Sequence, residues 1–411
     1  MLIKMAWRNL WRRKRRTLIS SLTVAIGLWV AISMLGISDY SFVNMVNTSA
    51  SMGFGHVTVE PTGYMNNPGF NKRIKAGRDV TVRILAEPGV TAAVPKIIGP
   101  GMIGTASKTV GGVIMGVDPA RERPKDNVFF RAIVEGRVFS QPGANEVVIG
   151  RRMAERLNLK IGKKLVYTVT DINGDIVSDM ARVCAIFKTG DDSVDGGTIL
   201  LPINKLRATL HFGPEDATLV SVLLADQREA EATSKNLRVK IGAPGVDVRW
   251  WSETQPEIAG AITMDRAFHQ LYQSVVWLLV ATGILDTMLM SVLERKREMG
   301  LMMAVGGSPT SLFLLVLTES LLTALTGLVI AILINSPWYF FMTHHGIDLT
   351  SMVPEGYGVS GVVVDPVIKM TLFKESVVRI LVTFLSLAII AGLYPAYKAS
   401  RVPPVESMKA I

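Results

Sequence analysis

The sequence predicts a membrane protein: four transmembrane α-helices with a large extracytoplasmic α+β domain inserted between helices 1 and 2. Three observations carry this. Four apolar runs of roughly 20 residues, each long enough to cross a bilayer, lie at Leu18–Ile37, Phe268–Leu293, Leu312–Ile334 and Ser376–Leu393. The long segment between the first two alternates β-rich runs, turn residues and helix-like stretches. Between the second and third lies a charged turn, Glu294-Arg-Lys-Arg-Glu-Met-Gly-Leu-Met-Met-Ala-Val-Gly-Gly-Ser-Pro309. Composition agrees: 49% hydrophobic residues in 411 and a mean hydropathy of +0.35 are too apolar for an ordinary soluble protein. Yet 19% charged residues are too many for a bundle of spans alone.

Residues 1–17 form a basic amphipathic segment, with Ile3, Trp7, Leu10 and Trp11 at helical spacing opposite Lys4, Arg8, Arg12 and Arg15. Such a helix suits the headgroup plane. Lys4, Arg8, Arg12, Arg13, Lys14, Arg15 and Arg16 keep this end cytoplasmic by the positive-inside rule. The first span, 18–42, is too long for a cleaved signal core and is read as a retained anchor. Threading onward gives an outer domain at 43–266, the second span at 267–293, a cytoplasmic turn at 294–311 and the third span at 312–334. An outer loop at 335–375, the fourth span at 376–395 and a cytoplasmic tail at 396–411 follow, the tail carrying Lys398, Arg401 and Lys409 against Glu406. The net charge of +10 is thus a topology signal. No recognition motif accompanies the basic cluster, so nucleic acid is not a partner.

In the outer domain, strands are expected at His56–Glu60, Gly112–Val117, Glu146–Gly150, Lys164–Thr170, Ala181–Phe187 and Leu219–Leu224, and helices at Arg151–Leu157, Pro202–Leu210 and Arg228–Val239. Asp171-Ile-Asn-Gly-Asp175 between two strand runs is a hairpin signal. One cysteine, Cys184, permits no internal disulfide, so the domain must hold by its core. Whether it is one domain or two stays open.

No chemistry of an enzyme is legible. Gly99-Pro-Gly-Met-Ile-Gly-Thr-Ala-Ser-Lys108 lacks Lys directly after the second glycine of a phosphate loop, and His56, His211, His269, His344 and His345 show no metal-ligand spacing. No catalytic, cofactor or metal site is predicted. The residues that stand out are Asp286 and Glu319, carboxylates inside apolar spans that are expected to face the bundle interior and find partners. The charges at Glu294, Arg295, Lys296, Arg297 and Glu298 cannot lie in hydrocarbon, where each costs about 2.5 to 3.5 kcal/mol. They belong in water at a membrane face.

The order of these parts resembles the permease subunit of the MacB/FtsX superfamily of ABC transporters. The resemblance covers essentially the whole chain, and its motifs from Gly283 to Gly327 include the charged turn, Ala304-Val-Gly-Gly307 and Leu317-Thr-Glu-Ser320. Within that superfamily the chain is most similar to the lipoprotein-releasing (Lol) permeases of the LolC and LolE group. That likeness rests on Ala6-Trp-Arg-Asn-Leu-Trp11 and the basic run after it, Gly116-Val-Asp-Pro119, Phe187-Lys-Thr-Gly190, Leu200-Leu-Pro-Ile-Asn-Lys-Leu206 and Gly346-Ile-Asp-Leu349. Asp286 stands where that family commonly has Asn.

The resemblance implies a multi-pass protein of the bacterial inner membrane with both termini cytoplasmic. It would pair with a second permease chain, the same or a sister, and dock on a cytoplasmic ABC ATPase that binds ATP-Mg, leaving this chain with no cofactor. Glu294, Arg295, Lys296, Arg297, Glu298, Met299, Gly300, Ala304 and Gly306 would couple to the ATPase. By mechanotransmission the complex would extract lipoprotein and hand it to a periplasmic carrier and so to the outer membrane. The alternatives are MacB-like export of peptides or drugs, and FtsX-like regulation of a cell-wall hydrolase.

Overall fold

Runs of apolar residues without helix breakers close their backbone hydrogen bonds internally, and in this chain they do so over more residues than a bilayer needs. The computed structural model describes all residues but 1, 13, 76–77, 124–125, 350, 352–357, 360–361, 364–366 and 403–411. Arg13, Glu406 and Lys409 of the charge reading lie outside the described residues. Among the rest, four helices are long and apolar enough to span: Thr17–Phe54, Pro256–Glu294, Pro309–His344 and Lys374–Ser400. Each exceeds its expected span, because hydropathy marks only the lipid-facing part of a helix that goes on bonding in water. The largest departure is at 335, where the sequence reading begins a loop and the third helix instead runs to His344 through Pro337. Asn335 and Ser336, just before the proline, bond their side chains to the carbonyls of Ala331 and Ile332 at 2.9 and 2.8 Å.

The chain divides into two units. The helical unit holds Met1–Ser41, Met264–Asp348 and Val367–Ile411. Its interior mixes Val24, Leu28, Val280, Ile284, Met288, Ile380 and Phe384 with small residues, Ala25, Ala324, Ala331, Ala388 and Ala391. Glycines set helix spacing: a Cβ on Gly327 would meet Val24 at 2.7 Å and the Ser21 carbonyl at 3.1 Å, and one on Gly392 would meet Ser320 at 2.7 Å. Ser21 and Thr326 share a 2.7 Å hydroxyl contact beside Gly327. Close approach at small residues is how helices pack without a hydrophobic drive.

The outer unit, Phe42–Thr263 with Leu349–Pro366, is built on a ten-stranded sheet. Its strands in chain order are β1 (Val57–Pro61), β2 (Val90–Gly104), β3 (Thr109–Val117), β4 (Ile133–Gly136), β5 (Glu146–Gly150), β6 (Lys164–Thr170), β7 (Ile176–Phe187), β8 (Thr198–Pro202), β9 (Leu219–Leu224) and β10 (Val246–Trp250). Along the sheet they run β10-β1-β9-β2-β3-β8-β5-β7-β4, and β6 pairs with both β2 and β7. That last pairing closes a ring: β2, β3, β8, β5, β7 and β6 form a six-stranded barrel. The first half of β2 pairs with β9 through Lys96, and its second half pairs with β3 from Ile97 onward. One long strand therefore joins an open antiparallel sheet to a barrel. Three cores result: Val57, Val59, Val220, Val222 and Ile84 under the open sheet, Ile97, Ile103, Ile114, Ile149, Leu165 and Tyr167 in the barrel, and a third cluster with Ile98, Met115, Phe129, Phe187 and Leu200.

The run read as a near-miss phosphate loop, 99–108, is the end of β2 and its hairpin into β3, with Gly101 opposite Gly112. A Cβ on Gly112 would collide with the Gly197 carbonyl, so this glycine lets the barrel close. The hairpin expected at 171–175 is present between β6 and β7, with the Asp171 carboxylate accepting from the Asn173 and Asp175 amides at 2.9 Å each. Cys184 is free and buried. His56 is a packing residue: its Nδ1 accepts from the Leu224 amide at 2.9 Å and its Nε2 faces Asn47 Oδ1 at 2.9 Å. The ring is therefore the neutral tautomer, and burial lowers its pKa to about 4. Close by in sequence, burial pushes Glu60 up to about 7 against the pull of Arg249, whose Nε lies 3.2 Å away.

Candidate functional site

The charged turn folds as its residues dictate. Lys296–Ala304 is a short helix, Gly306 takes φ +99° after it, and Ser308 caps the third long helix by accepting from the Ser311 amide at 3.2 Å, with Pro309 in its first turn. Gly-Gly-Ser-Pro thus ends one helix and begins the next. Lys296, Arg297, Glu298, Leu301, Ala304, Val305 and Gly306 are exposed, whereas Arg295, Met299 and Gly300 are buried. Met299 joins Val292, Leu312, Val316, Ala396 and Ala399 in a second small core of the helical unit.

Arg295 is the centre of the site. Its Nη1 donates to both oxygens of Glu319, at 2.9 and 2.8 Å, and its Nε donates to Glu298 at 3.1 Å. The side chains of Arg295 and Glu319 are only 11% and 7% exposed. Asn9, on the amino-terminal helix Leu2–Arg12, donates to the same Glu319 oxygen at 2.7 Å. Three residues on, Arg12 reaches Glu298 at 3.4 Å, in a pair open to solvent. The contacts close into a ring, Asn9 to Glu319 to Arg295 to Glu298 to Arg12, which ties the amino-terminal helix, the short helix and the third long helix together. A cavity of about 290 Å³ beside it is lined by Thr17, Ser20, Thr287, Ser291 and Thr323 as well as members of the ring.

A buried pair of this kind repays its desolvation only when the geometry is good, and removing one partner costs about 3 to 5 kcal/mol. These contacts link the short helix to the third long helix and to the amino-terminal helix.

The amino-terminal helix presents two faces. Ala6 and Leu10 are buried, while Ile3, Trp7 and Trp11 are exposed, the last two in an edge contact at 5.8 Å. The two intramembrane carboxylates, read alike from sequence, part company. Glu319 is buried and paired; Asp286 is exposed. The expectation that Asp286 faces the bundle interior is therefore corrected. Val280, Ile284, Met288 and Val292, spaced four apart, fill the inward ridge of that helix, and Asp286 falls on the far side. Arg295 is also relocated, from the water-facing grip to the interior. Sequence reasoning missed Asn9 and Arg12 as partners of the turn. The available signal was an uncharged amide among arginines on an amphipathic helix.

A family model described as a MacB-like periplasmic core domain matches residues 17–239, and one described as an FtsX-like permease C-terminal matches residues 273–404. The lipoprotein-releasing system transmembrane protein LolC of Xylella fastidiosa is 19% identical over 417 aligned positions, covering 97% of this chain and 96% of that protein. LolC of Neisseria meningitidis is 21% identical, covering 96% of this chain and 94% of that protein. The pyoverdine export ATP-binding/permease protein PvdT of Pseudomonas fluorescens is 24% identical over 99% of this chain, which spans 59% of it. With one model over more than half of the chain and the other over most of the remainder, the chain belongs to the MacB/FtsX superfamily of ABC-transporter permeases.

Proposed function

We propose that this chain is the permease subunit of an ATP-driven complex that extracts lipoproteins from the bacterial inner membrane and passes them to a periplasmic carrier. The observation that carries the mechanical part is the buried Arg295–Glu319 pair with Asn9. In this reading a cytoplasmic ATPase grips the exposed residues Lys296, Arg297, Ala304 and Gly306 and binds the ATP-Mg that this chain does not. Both termini lie on that side. Closure of the ATPase drives the short helix, and the ring of contacts passes the motion into long helices that shift as rigid rods. A second permease chain completes the complex. Work is done on the outer side, without a channel.

Energy coupling makes sense for such a cargo. Burying acyl chains is worth about 0.8 kcal/mol per CH₂, so a multiply acylated anchor leaves the bilayer very slowly unaided. The lipoprotein reading is supported by relatives aligned over nearly their whole length that are named as lipoprotein-releasing. Export of a peptide or small molecule is the second reading, supported by the match to a pyoverdine exporter.

The test is reconstitution with a cytoplasmic ABC ATPase that copurifies with this chain, in liposomes carrying an acylated lipoprotein. Arg297→Glu, at an exposed site, should cut lipoprotein-stimulated ATPase and release about tenfold or more, as loss of one well-placed ionic contact would. Release at the normal rate in Arg297→Glu would remove the turn as coupler. Stimulation by a soluble peptide or siderophore, with none by lipoprotein, would favour the exporter.

A further inference from the structure

The cavity beside the Arg295 ring has no part in the coupling described above. It lies where the amino-terminal helix, the short helix and the first three long helices meet, and of its lining only Leu10 and Met288 are apolar. Arg12 and Arg295 bring positive charge to its wall, Glu298 and Glu319 negative charge, so the wall is neutral in sum while offering both signs. Glu319 is spent on Arg295 and Asn9. The other three keep capacity. Among the described residues, Arg295 bonds through Nε and Nη1 and leaves Nη2 over. Arg12 makes only the 3.4 Å contact to Glu298, and the two side chains are 74% and 45% exposed. The cavity also sits at the level of lipid headgroups. The charges of Glu294 to Glu298 exclude hydrocarbon there, and the amino-terminal helix turns Trp7 and Trp11 outward, as residues of a membrane interface do. Just past Thr17, which lines the cavity, Leu18, Ile19 and Leu22 are exposed on the first long helix, a surface for acyl chains.

We propose that this cavity binds a phospholipid whose headgroup joins a phosphate to a primary amine, as phosphatidylethanolamine does, with the phosphate held by Arg12 and Arg295 and the ammonium by Glu298. An anion alone meets the Glu298 carboxylate, and a cation alone meets two guanidinium groups; a zwitterion is complementary to both. The loose Arg12–Glu298 pair sets the two signs side by side, as the short link between phosphate and amine requires. A choline headgroup carries the same charges but has no N–H to donate, so Glu298 tells the two apart. The volume of about 290 Å³ is at the small end of ligand sites, and no aromatic residue lines it to stack a nucleotide base. The lipid belongs to the leaflet beside the charged turn, so this is not the place of the cargo in the transport reading.

Competition binding on the full chain tests this without ATPase or cargo, so it stands or falls apart from the transport reading. The chain, stripped of lipid in detergent, is offered phosphatidylethanolamine and phosphatidylcholine in equal amounts, and the lipid retained is counted by native mass spectrometry. The ethanolamine lipid should be retained about tenfold over the choline lipid, the order that one charge-assisted hydrogen bond provides. Glu298→Ala should bring the two to equal retention. Arg12→Ala should lower both and leave the preference, because it removes a phosphate contact that the two lipids share. Lys398→Ala, at an exposed basic residue outside the cavity, should change neither. Equal retention by the unaltered chain, a preference that survives Glu298→Ala, or its loss in Lys398→Ala would each overturn the proposal. So would displacement by equal phosphatidylglycerol, which would mark a plain anion site, or by equal free phosphoethanolamine, which would make the ligand a soluble amino phosphate.

Discussion

The outer and helical units solve the same packing problem in opposite senses. In the outer unit the large apolar side chains are inside: Ile97, Ile103, Ile114, Phe129 and Phe187 are all but inaccessible. In the helical unit Leu278, Leu279, Ile332, Leu333 and Ile390 face outward, and Ser21, Glu319, Ser320 and Thr323 are buried. Water drives apolar groups together and lipid does not. The helical unit therefore relies on close backbone approach at Gly327 and Gly392 and on polar contacts such as the Arg295 ring. The lesson is that a buried charge means different things in the two regions. In the outer unit Lys96 and Glu122 make a 2.9 Å pair with Asn127 also on the carboxylate, a polar island in an apolar core. In the helical unit the Arg295–Glu319 pair is the joint between three helices.

The largest expected effect breaks that joint. Glu319→Ala leaves Arg295 buried without its carboxylate and should destabilise the helical unit by about 3 to 5 kcal/mol, read as a lower unfolding midpoint in detergent titration, with the outer-domain strands still protected from hydrogen exchange. Equal loss of protection in both units would mean that the two do not hold independently.

The outer unit offers a pH test that the helical unit does not. In the fold Glu60 keeps its proton up to about 7, against 4.5 when unfolded, so its contribution weakens stability as pH rises between those values. His56 runs the other way: held down to about 4 from 6.5, it costs stability as pH falls below 6.5. The two slopes oppose each other across much of the same range. Glu60→Gln removes the opposing slope of Glu60, so exchange protection of the β1 amides should rise more steeply with pH between 4.5 and 7 in the variant than in the parent, the difference being on the order of 1 to 2 kcal/mol. A variant with the parent's slope would show that Glu60 does not titrate as its burial requires.

The smallest effect sharpens the picture of the ring. Arg12, 74% exposed, pairs with a half-exposed Glu298, so Arg12→Ala should cost less than about 1 kcal/mol in the same titration. A loss comparable to that of Glu319→Ala would make the solvent-facing link as important as the buried one.

Much of the architecture was legible because hydropathy and turn chemistry are local. β5, β6 and β9 fall at their expected residues, as does the helix Arg151–Leu157. The misses have physical reasons. β2 reads as a loop because Gly99, Pro100 and Gly101 interrupt it, yet the barrel tolerates them where strands bend and backbones approach. β8 was hidden because its apolar run is short and leads directly into the helix Ile203–Thr209, and β10 carries no alternation strong enough to separate it from its neighbours.

By itself the sequence determined which segments meet lipid, that a charged turn lies between two spans, and that the outer part is mixed α and β. Each follows from the preference of short stretches for water, lipid or a half-buried sheet. Only the tertiary structure decided that the outer domain has three cores along one shared strand, that Arg295 turns inward to Glu319, and that Asn9, 310 residues from Glu319, completes the contact. It also decided that Asp286 and Glu319, alike in composition of surroundings, have opposite fates. Those outcomes depend on which face of each helix meets which neighbour, a long-range property that no local run of residues encodes.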